Sequence, residues 1–133
     1  MLLRSAPYFP VPDVEAAVNH YERVFGFQTE YVAGKPAQFG IVRRDGFGIM
    51  FRRVPDAKKI VPNEPQGGTW DAFFWVSDVQ SLYDELHANG ADIVYGPILQ
   101  AEYAMMEIAV RDSNGYVLGF GQDWSESSTA ARR

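Results

Sequence analysis

One stretch of the chain alternates an acidic residue with aromatic side chains. The run from Thr69 to Val76 has the composition of a β-strand, in which alternate residues share a face, so Asp71, Phe73 and Trp75 point to the same side. Aromatic rings offer flat apolar area to a ligand, and a carboxylate beside them offers a charge to an amine or a guanidinium group. The pattern indicates either a site for a planar molecule or an aromatic strand that fills a core.

Residues for nucleophilic catalysis are missing or poorly placed. The chain contains no cysteine, which excludes disulfides, thiolate metal sites and a cysteine nucleophile. His20 and His87 fall at the margins of apolar helix stripes, and we interpret both as helix-surface residues. The sequence has no Gly-x-Ser-x-Gly motif and no glycine pattern typical of phosphate or dinucleotide binding. We therefore predict no catalytic residues.

Length and charge limit the function classes further. The 133 residues suit one domain, and 47% hydrophobic residues, with 14% aromatic ones, suffice for a core. The formal net charge of −5 disfavours binding to nucleic acid or to an anionic membrane surface. The sequence has no secretion signal and no apolar run that approaches the roughly 18 residues of a membrane span. We expect a cytoplasmic protein without nucleic-acid or membrane partners.

The chain carries the same succession of elements twice. Helices are predicted over Val14–Phe25 and Val79–Asn89, with Asp13 and Asp78 as N-caps. β-branched and aromatic runs predict strands at about 4–11, 27–33, 38–43, 48–54, 69–76, 92–95, 105–111 and 116–122. The order is β-α-β-β-β followed by β-α-β-β-β, which is an α+β fold of two paired βαβββ modules.

Short motifs repeat between the two halves and support this division. Val11-Pro12-Asp13-Val14 matches Val76-Ser77-Asp78-Val79, and Arg44-Asp45-Gly46-Phe47 matches Arg111-Asp112 with Gly115-Tyr116. We predict a single domain over residues 1–124, with module one at about 4–54, a linker at 55–68 and module two at about 69–122. Residues 125–133 are predicted to be a disordered tail.

The same motifs resemble those of a known family. Together with Val24-Phe25-Gly26-Phe27, Asn89-Gly90-Ala91 and the turn Asp112-Ser113-Asn114-Gly115, they look like the vicinal oxygen chelate superfamily, which includes glyoxalases, bleomycin-resistance proteins and extradiol dioxygenases. The resemblance covers about residues 5–122. It implies curved mixed sheets that enclose a cleft, commonly in a dimer.

The resemblance also bears on metal chemistry. In metal-dependent members of the family, one divalent ion is held at positions that correspond to Ala6, Met50, Asp71 and Gly119. Only Asp71 can bind a metal, and one carboxylate cannot hold a catalytic ion. We therefore predict no metal and no cofactor, which argues against a metal-dependent enzyme.

The metal-free members that the chain resembles are of the bleomycin-resistance type, which are small acidic dimers. This implies a binding protein with an antibiotic-resistance-like role, which sequesters a hydrophobic, cationic or neutral small molecule in the cleft of a homodimer. The linker 55–68 would allow the modules to be swapped between the two chains. The residues expected to line the ligand are Phe39, Met50, Asp71, Phe73, Trp75, Tyr103 and Met105.

Two other functions stay open on the sequence. One is an enzyme of the same superfamily, such as a glyoxalase, lyase or dioxygenase. It would use either an unusual metal site built from Asp71, Glu107 and partner-chain groups, or a carboxylate base for isomerisation or lyase chemistry. The other is an interaction module with exposed aromatic residues and a filled cleft. Glu107 stands in an otherwise apolar strand, and we predict a structural ion pair between it and Arg43 or Arg111.

Overall fold

The structure is a computed structural model that describes residues 1–125. Apart from Ser125, the predicted tail 125–133 lies outside the described residues. The chain divides into two compact units, Met1–Val61 and the unit that begins at Pro62. This division falls within the predicted linker 55–68, where the structure has two short 3-10 turns, Ala57–Lys59 and Glu64–Gln66.

The first unit contains one helix and a four-stranded mixed sheet. Its elements are β1 (Tyr8–Val11), α1 (Val14–Arg23), β2 (Gln28–Gly34), β3 (Ala37–Arg44) and β4 (Phe47–Arg53). The strand order is β1-β4-β3-β2, in which β1 runs parallel to β4 and the other pairs are antiparallel. The predicted βαβββ module is therefore present in this half.

The second unit repeats the arrangement. Its elements are β5 (Ala72–Trp75), α2 (Val79–Ala88), β6 (Asp92–Gln100), β7 (Met105–Arg111) and β8 (Val117–Asp123). The order β5-β8-β7-β6 again has one parallel pair, β5 with β8. Both halves confirm the predicted α+β fold. Among residues 1–125, neither helix has the length and apolar character that a membrane crossing requires.

Both predicted helix N-caps are present. The Asp13 carboxylate accepts a hydrogen bond from the Ala16 amide at 3.0 Å, and the Asp78 carboxylate accepts one from the Ser81 amide at 3.0 Å. Each bond satisfies an amide at the helix start that has no partner within the helix. The apolar stripe of α1 is buried as its spacing predicts, over Val14, Ala17, Val18 and Tyr21.

Some strand limits differ from the prediction. Strands β1 and β5 begin later than predicted, at Tyr8 and Ala72. Strand β6 continues to Gln100, well past the predicted end at Tyr95. The Gly96-Pro97 dipeptide is typical of a turn, but here β6 passes through it. Its register is irregular between Ile93 and Tyr95 and again between Tyr95 and Ile98, across the dipeptide itself. A strand can absorb such residues in a bulge without ending.

In each unit the helix covers one face of the sheet. A Cβ added at Gly40 of β3 would lie 2.9 Å from a methyl group of Val14 in α1, so helix and sheet are in direct contact there. In the second unit, the Val79 amide at the start of α2 donates a hydrogen bond to Gln122 Oε1 of β8 at 3.0 Å. Alternation along β8 then places Gly119 and Gly121 on the opposite face. We call these opposite faces the first and the second open face.

Candidate functional site

Three aromatic side chains form a cluster on the second open face. The ring centroids of Trp70 and Phe73 are 4.6 Å apart, and those of Phe73 and Trp75 are 5.0 Å apart. Trp75 is 75% exposed, which is unusual for so large an apolar side chain. We call Trp70, Phe73 and Trp75 the ring cluster, and its outer member presents apolar area to solvent.

The ring cluster packs directly on the backbone of β8, because that strand has glycines where the rings lie. A Cβ added at Gly119 would be 2.5 Å from Trp70 Cδ1 and 2.7 Å from Phe73 Cδ2. At Gly121 it would be 2.7 Å from Phe73 Cζ and 2.5 Å from Met105 Cε. Any larger residue at these positions would displace the rings, so the two glycines shape this surface.

A chain of hydrogen bonds runs from the ring cluster to a buried carboxylate. The indole Nε1 of Trp70 donates to the Tyr95 hydroxyl at 2.8 Å, and this hydroxyl donates to Glu107 Oε1 at 2.8 Å. The Glu107 side chain is fully buried, with 0% exposure. Its second oxygen, Oε2, has no hydrogen-bond partner among the described residues. A buried carboxylate oxygen without a donor is costly and therefore rare in folded proteins.

The predicted ion pair of Glu107 is wrong. Arg111 binds Glu64 at 2.7 Å and Asp92 at 2.9 Å instead. Arg43 lies in the first unit, where it approaches Glu30 at 3.8 Å. Alternation along β7 places Arg111 on the same face as Glu107, but two other carboxylates already satisfy its guanidinium group.

Irregular pairing in β6 aims Tyr95 at this face. Ile93 pairs with Val110 and Tyr95 with Ala109, so one residue of β6 is extra between them. The insertion moves Tyr95 to the face that Glu107 occupies, because each one-residue shift reverses the side-chain direction. In a regular strand without the bulge, Tyr95 would lie on the same face as Ile93. No sequence signal marks this position apart from the neighbouring Gly96-Pro97 dipeptide.

Tyr103 completes the surroundings of the carboxylate. It lies in the turn between β6 and β7 and is 51% exposed. Burial and the adjacent Glu107 carboxylate raise the pKa of Tyr103 to about 12. Burial also raises the pKa of Tyr95 above its ordinary value, and Glu107 adds to this effect, whereas the hydrogen bond from Trp70 opposes it. Both phenols thus lie within the field of one buried acid.

These shifts predict a loss of stability at alkaline pH. Burial raises the pKa of Tyr116 as well, to about 12. At a pH between the ordinary and the raised pKa, the phenols of Tyr95, Tyr103 and Tyr116 stay neutral in the folded state but ionise in the unfolded chain. The stabilisation is complete below the ordinary tyrosine pKa of about 10 and is lost as the pH rises towards about 12. The absorbance of tyrosinate is recorded against pH for native and for urea-unfolded protein. Some tyrosines should ionise well above pH 10 in the native sample, and none should do so in the unfolded one. Coincident titration curves would contradict this assignment.

Asp71 has a different environment from the one its position suggested. Its Oδ1 accepts a hydrogen bond from the Asn63 amide at 2.9 Å, and its Oδ2 accepts one from the Val117 amide at 2.8 Å. The carboxylate therefore ties the preceding loop to the start of β8. Both Asp71 oxygens accept a backbone amide, in contrast to Glu107, whose Oε2 has no hydrogen-bond partner among the described residues.

The remaining predicted site residues divide between the units. Met105 lies in the second unit beside Phe73, whereas Phe39 and Met50 lie on the first open face. There Phe39 contacts Tyr8 and Tyr31, each at 6.3 Å between ring centroids. Sequence reasoning missed Tyr8 and Tyr31, although their alternation with buried neighbours is a signal that both face away from α1.

The residues at the family's metal positions do not fit a metal ion. Ala6 and Gly119 offer no side-chain ligand atom, and Met50 offers only a thioether sulfur, which binds soft metals rather than the ions that oxygen and nitrogen ligands hold. The rings of Trp70 and Phe73 lie where a side chain at Gly119 would project. Within residues 1–125, no three His, Cys, Asp or Glu side chains are grouped closely enough to hold a metal. Three or more such ligands are the norm at a catalytic ion.

Both histidines have aromatic neighbours on their helices. The His20 ring meets the Phe25 ring edge-on at 5.0 Å, and its buried Nε2 has no hydrogen-bond partner within the described part of the chain. Burial, followed by the charge of Arg23, lowers the pKa of His20. His87 stacks on Tyr83 at 5.5 Å. His20 is therefore partly buried rather than a surface residue.

Solved structures share this fold over nearly the whole chain. TioX from Micromonospora sp. ML1 has a TM-score of 0.72 at 25% identity, over 91% of this chain and 98% of that one. The bleomycin-binding protein from bleomycin-producing Streptomyces verticillus, complexed with copper(II)-bleomycin, has a TM-score of 0.66 at 22% identity, over 90% and 95%. A glyoxalase-related enzyme from Clostridium phytofermentans has a TM-score of 0.67 at 15% identity, over 92% and 96%. Among curated protein sequences, none matches significantly.

The sequence itself matches one family model, that of the Glyoxalase/Bleomycin resistance protein/Dioxygenase superfamily, over residues 6–120. The matched region begins before β1 and ends within β8, so it includes both βαβββ modules. The chain therefore belongs to the Glyoxalase/Bleomycin resistance protein/Dioxygenase superfamily.

Proposed function

We propose that this protein is a metal-independent binding protein that sequesters a planar hydrophobic molecule, cationic or neutral, on its second open face. The observation that carries the proposal is the ring cluster on Gly119 and Gly121, with Trp75 projecting into solvent at 75% exposure. An exposed indole beside a second ring is a stacking surface for another aromatic group. Such a surface takes the place of metal ligands in holding the small molecule.

The energetics of stacking agree with this role. One ring stacked on an aromatic side chain is worth about 1–3 kcal/mol by alanine substitution. The Phe73 and Trp75 rings meet at an interplanar angle of 73°, so they present two differently oriented surfaces rather than one flat wall. This geometry suits a ligand that stacks on the indole while its edge contacts the phenyl ring.

One solved structure of similar fold supports a role in binding a small molecule. The Streptomyces verticillus protein is a bleomycin-binding protein and is complexed with copper(II)-bleomycin. We extend from it the proposal of an antibiotic-resistance-like role. As a separate part of the proposal, the protein is a homodimer, either with each chain's modules paired together or with the modules swapped between the two chains. Contact between the ligand and Phe39 or Met50 of the first open face stays a prediction.

Replacement of the exposed indole tests the proposal. In calorimetric titrations with metal-free bleomycin and with proflavine, a planar tricyclic cation, we expect saturable binding to the wild-type protein. Trp75→Ala should weaken binding about tenfold or more, because a stacking partner worth roughly 1–3 kcal/mol is lost. Since Trp75 is largely exposed, this substitution should leave the thermal unfolding temperature nearly unchanged.

A matched control separates this effect from a general loss of surface area. Phe47 of β4 is also exposed, at 59%, but belongs to the first unit. Phe47→Ala should bind both probes as the wild-type protein does. If the wild-type protein binds neither bleomycin nor proflavine saturably, the proposed function is overturned.

A further inference from the structure

We infer that Glu107 is the residue that gives this site its preference for cations: a protonated amine or an amidinium group of the ligand pairs with Glu107 Oε2. The inference rests on the proposed function and names the chemistry that the second open face recognises. Sequence reasoning assigned Glu107 to a structural ion pair, and residues 1–125 provide no such partner.

The first argument is the incomplete hydrogen bonding of a fully buried acid. Glu107 has 0% exposure, Oε1 accepts from the Tyr95 hydroxyl at 2.8 Å, and Oε2 has no partner among the described residues. A carboxylate has room for about four hydrogen bonds. A buried group that lacks them is stabilised by any donor that reaches it, most of all by a charged one.

The second argument is the charge balance around the carboxylate. No ion pair formed by residues 1–125 includes Glu107, and Arg111, on the same face of β7, is bound to Glu64 and Asp92. Burial of an unpaired carboxylate costs several kcal/mol in typical proteins, so such groups are usually paired. The counter-charge that the described chain does not supply is supplied by the ligand.

The third argument is the link between the carboxylate and the ring cluster. Glu107 pairs with Gly121 in the β7 and β8 register, and Gly121 lies directly under Phe73 and Met105. The hydrogen bonds from Trp70 to Tyr95 and from Tyr95 to Glu107 connect the same two features. A ligand that stacks on the ring cluster would therefore lie close to the Glu107 carboxylate.

Access to the acid requires a side-chain movement, because Glu107 is fully buried and the Tyr103 side chain interacts with it. Tyr103, which lies beside Glu107, belongs to the turn between β6 and β7 and is already half exposed. Rotation of one exposed side chain is fast, on a timescale of picoseconds to nanoseconds. Displacement of the Tyr103 ring would uncover the carboxylate while the Tyr95 bond continues to hold Oε1.

The test compares two tricyclic probes by calorimetry at mildly alkaline pH, where proflavine is a cation and acridine is neutral. We expect the wild-type protein to bind proflavine about tenfold more tightly than acridine, as a charge-assisted hydrogen bond predicts. Glu107→Gln keeps an oxygen for Tyr95 but replaces the other acceptor with an amide donor. This variant should lose the preference for proflavine and retain acridine binding.

A control removes the same charge from an exposed position nearby. Glu102 lies in the turn next to Tyr103 and is exposed, so Glu102→Gln should keep the full preference. If Glu107→Gln still prefers proflavine over acridine, the inference is overturned. Equal affinity of the wild-type protein for the two probes would also overturn it, and that measurement does not depend on any variant. In these cases the proposed function stands. If neither probe binds the wild-type protein, the proposed function and the inference both fail.

Discussion

Gly96→Ala should lower the free energy of unfolding by about 3 kcal/mol, because it combines backbone strain with a direct backbone collision. Gly96 has a φ angle of +91°, which residues with a Cβ rarely adopt. An added Cβ would also lie 2.2 Å from the carbonyl oxygen of Glu107 and 2.9 Å from the Ile108 Cα in the adjacent strand. Neither contact is with a flexible side chain, so β6 must move away from β7.

Urea denaturation with a constant m value measures this loss. Gly90→Ala is the matched control, since Gly90 also has a positive φ, +82°, but nothing lies within 4 Å of an added Cβ. Its cost should be about 1 kcal/mol, from conformational strain alone. Equal losses for the two variants would show that close packing between β6 and β7 is not what requires glycine at position 96.

Gly119→Ala should lower the free energy of unfolding by about 2 kcal/mol, as overpacking of a tight contact typically does. Its Cβ would lie 2.5 Å from Trp70 Cδ1, 2.6 Å from Trp70 Nε1 and 2.7 Å from Phe73 Cδ2. Displacement of the indole also breaks its 2.8 Å hydrogen bond to Tyr95. We therefore expect weaker binding of proflavine together with the loss of stability.

A double-mutant cycle with Trp70→Ala isolates the contact that causes this effect. When the indole is absent, Gly119→Ala should cost distinctly less, because only the Phe73 contact at 2.7 Å is left. Urea denaturation of the four proteins gives the coupling energy. If Gly119→Ala costs the same with and without the indole, then the ring of Trp70 does not depend on the glycine beneath it.

The fold was accessible from sequence because its signals are local and occur twice. The caps Asp13 and Asp78 and the apolar stripe of α1 depend only on residues within a few positions, and both features are as predicted. The motif repeat then fixed the order of the strands. The predicted strand limits were wrong where non-local hydrogen bonds decide them. At Gly96, for example, pairing with β7 continues β6 through a dipeptide that is typical of a turn.

The candidate site was less accessible because its chemistry depends on contacts distant in sequence. Alternation correctly predicts that Phe73 and Trp75 share a face, and their rings are in contact. It cannot show that Asp71 is held by the amides of Asn63 and Val117, or that a bulge turns Tyr95 towards Glu107. The charge that sequence reasoning assigned to Asp71 for ligand recognition is, in our inference, supplied by Glu107.

Chemical-shift mapping of the indole N–H signals during titration with proflavine tests the central claim most directly. The chain has three tryptophans, of which Trp70 and Trp75 belong to the ring cluster and Trp124 lies beyond β8. We predict large, saturable shifts for Trp70 and Trp75 and for the amides of Gly119 and Gly121, with little change at Trp124. Saturable binding that leaves those signals unmoved, or no binding at all, would contradict a ligand site on the second open face.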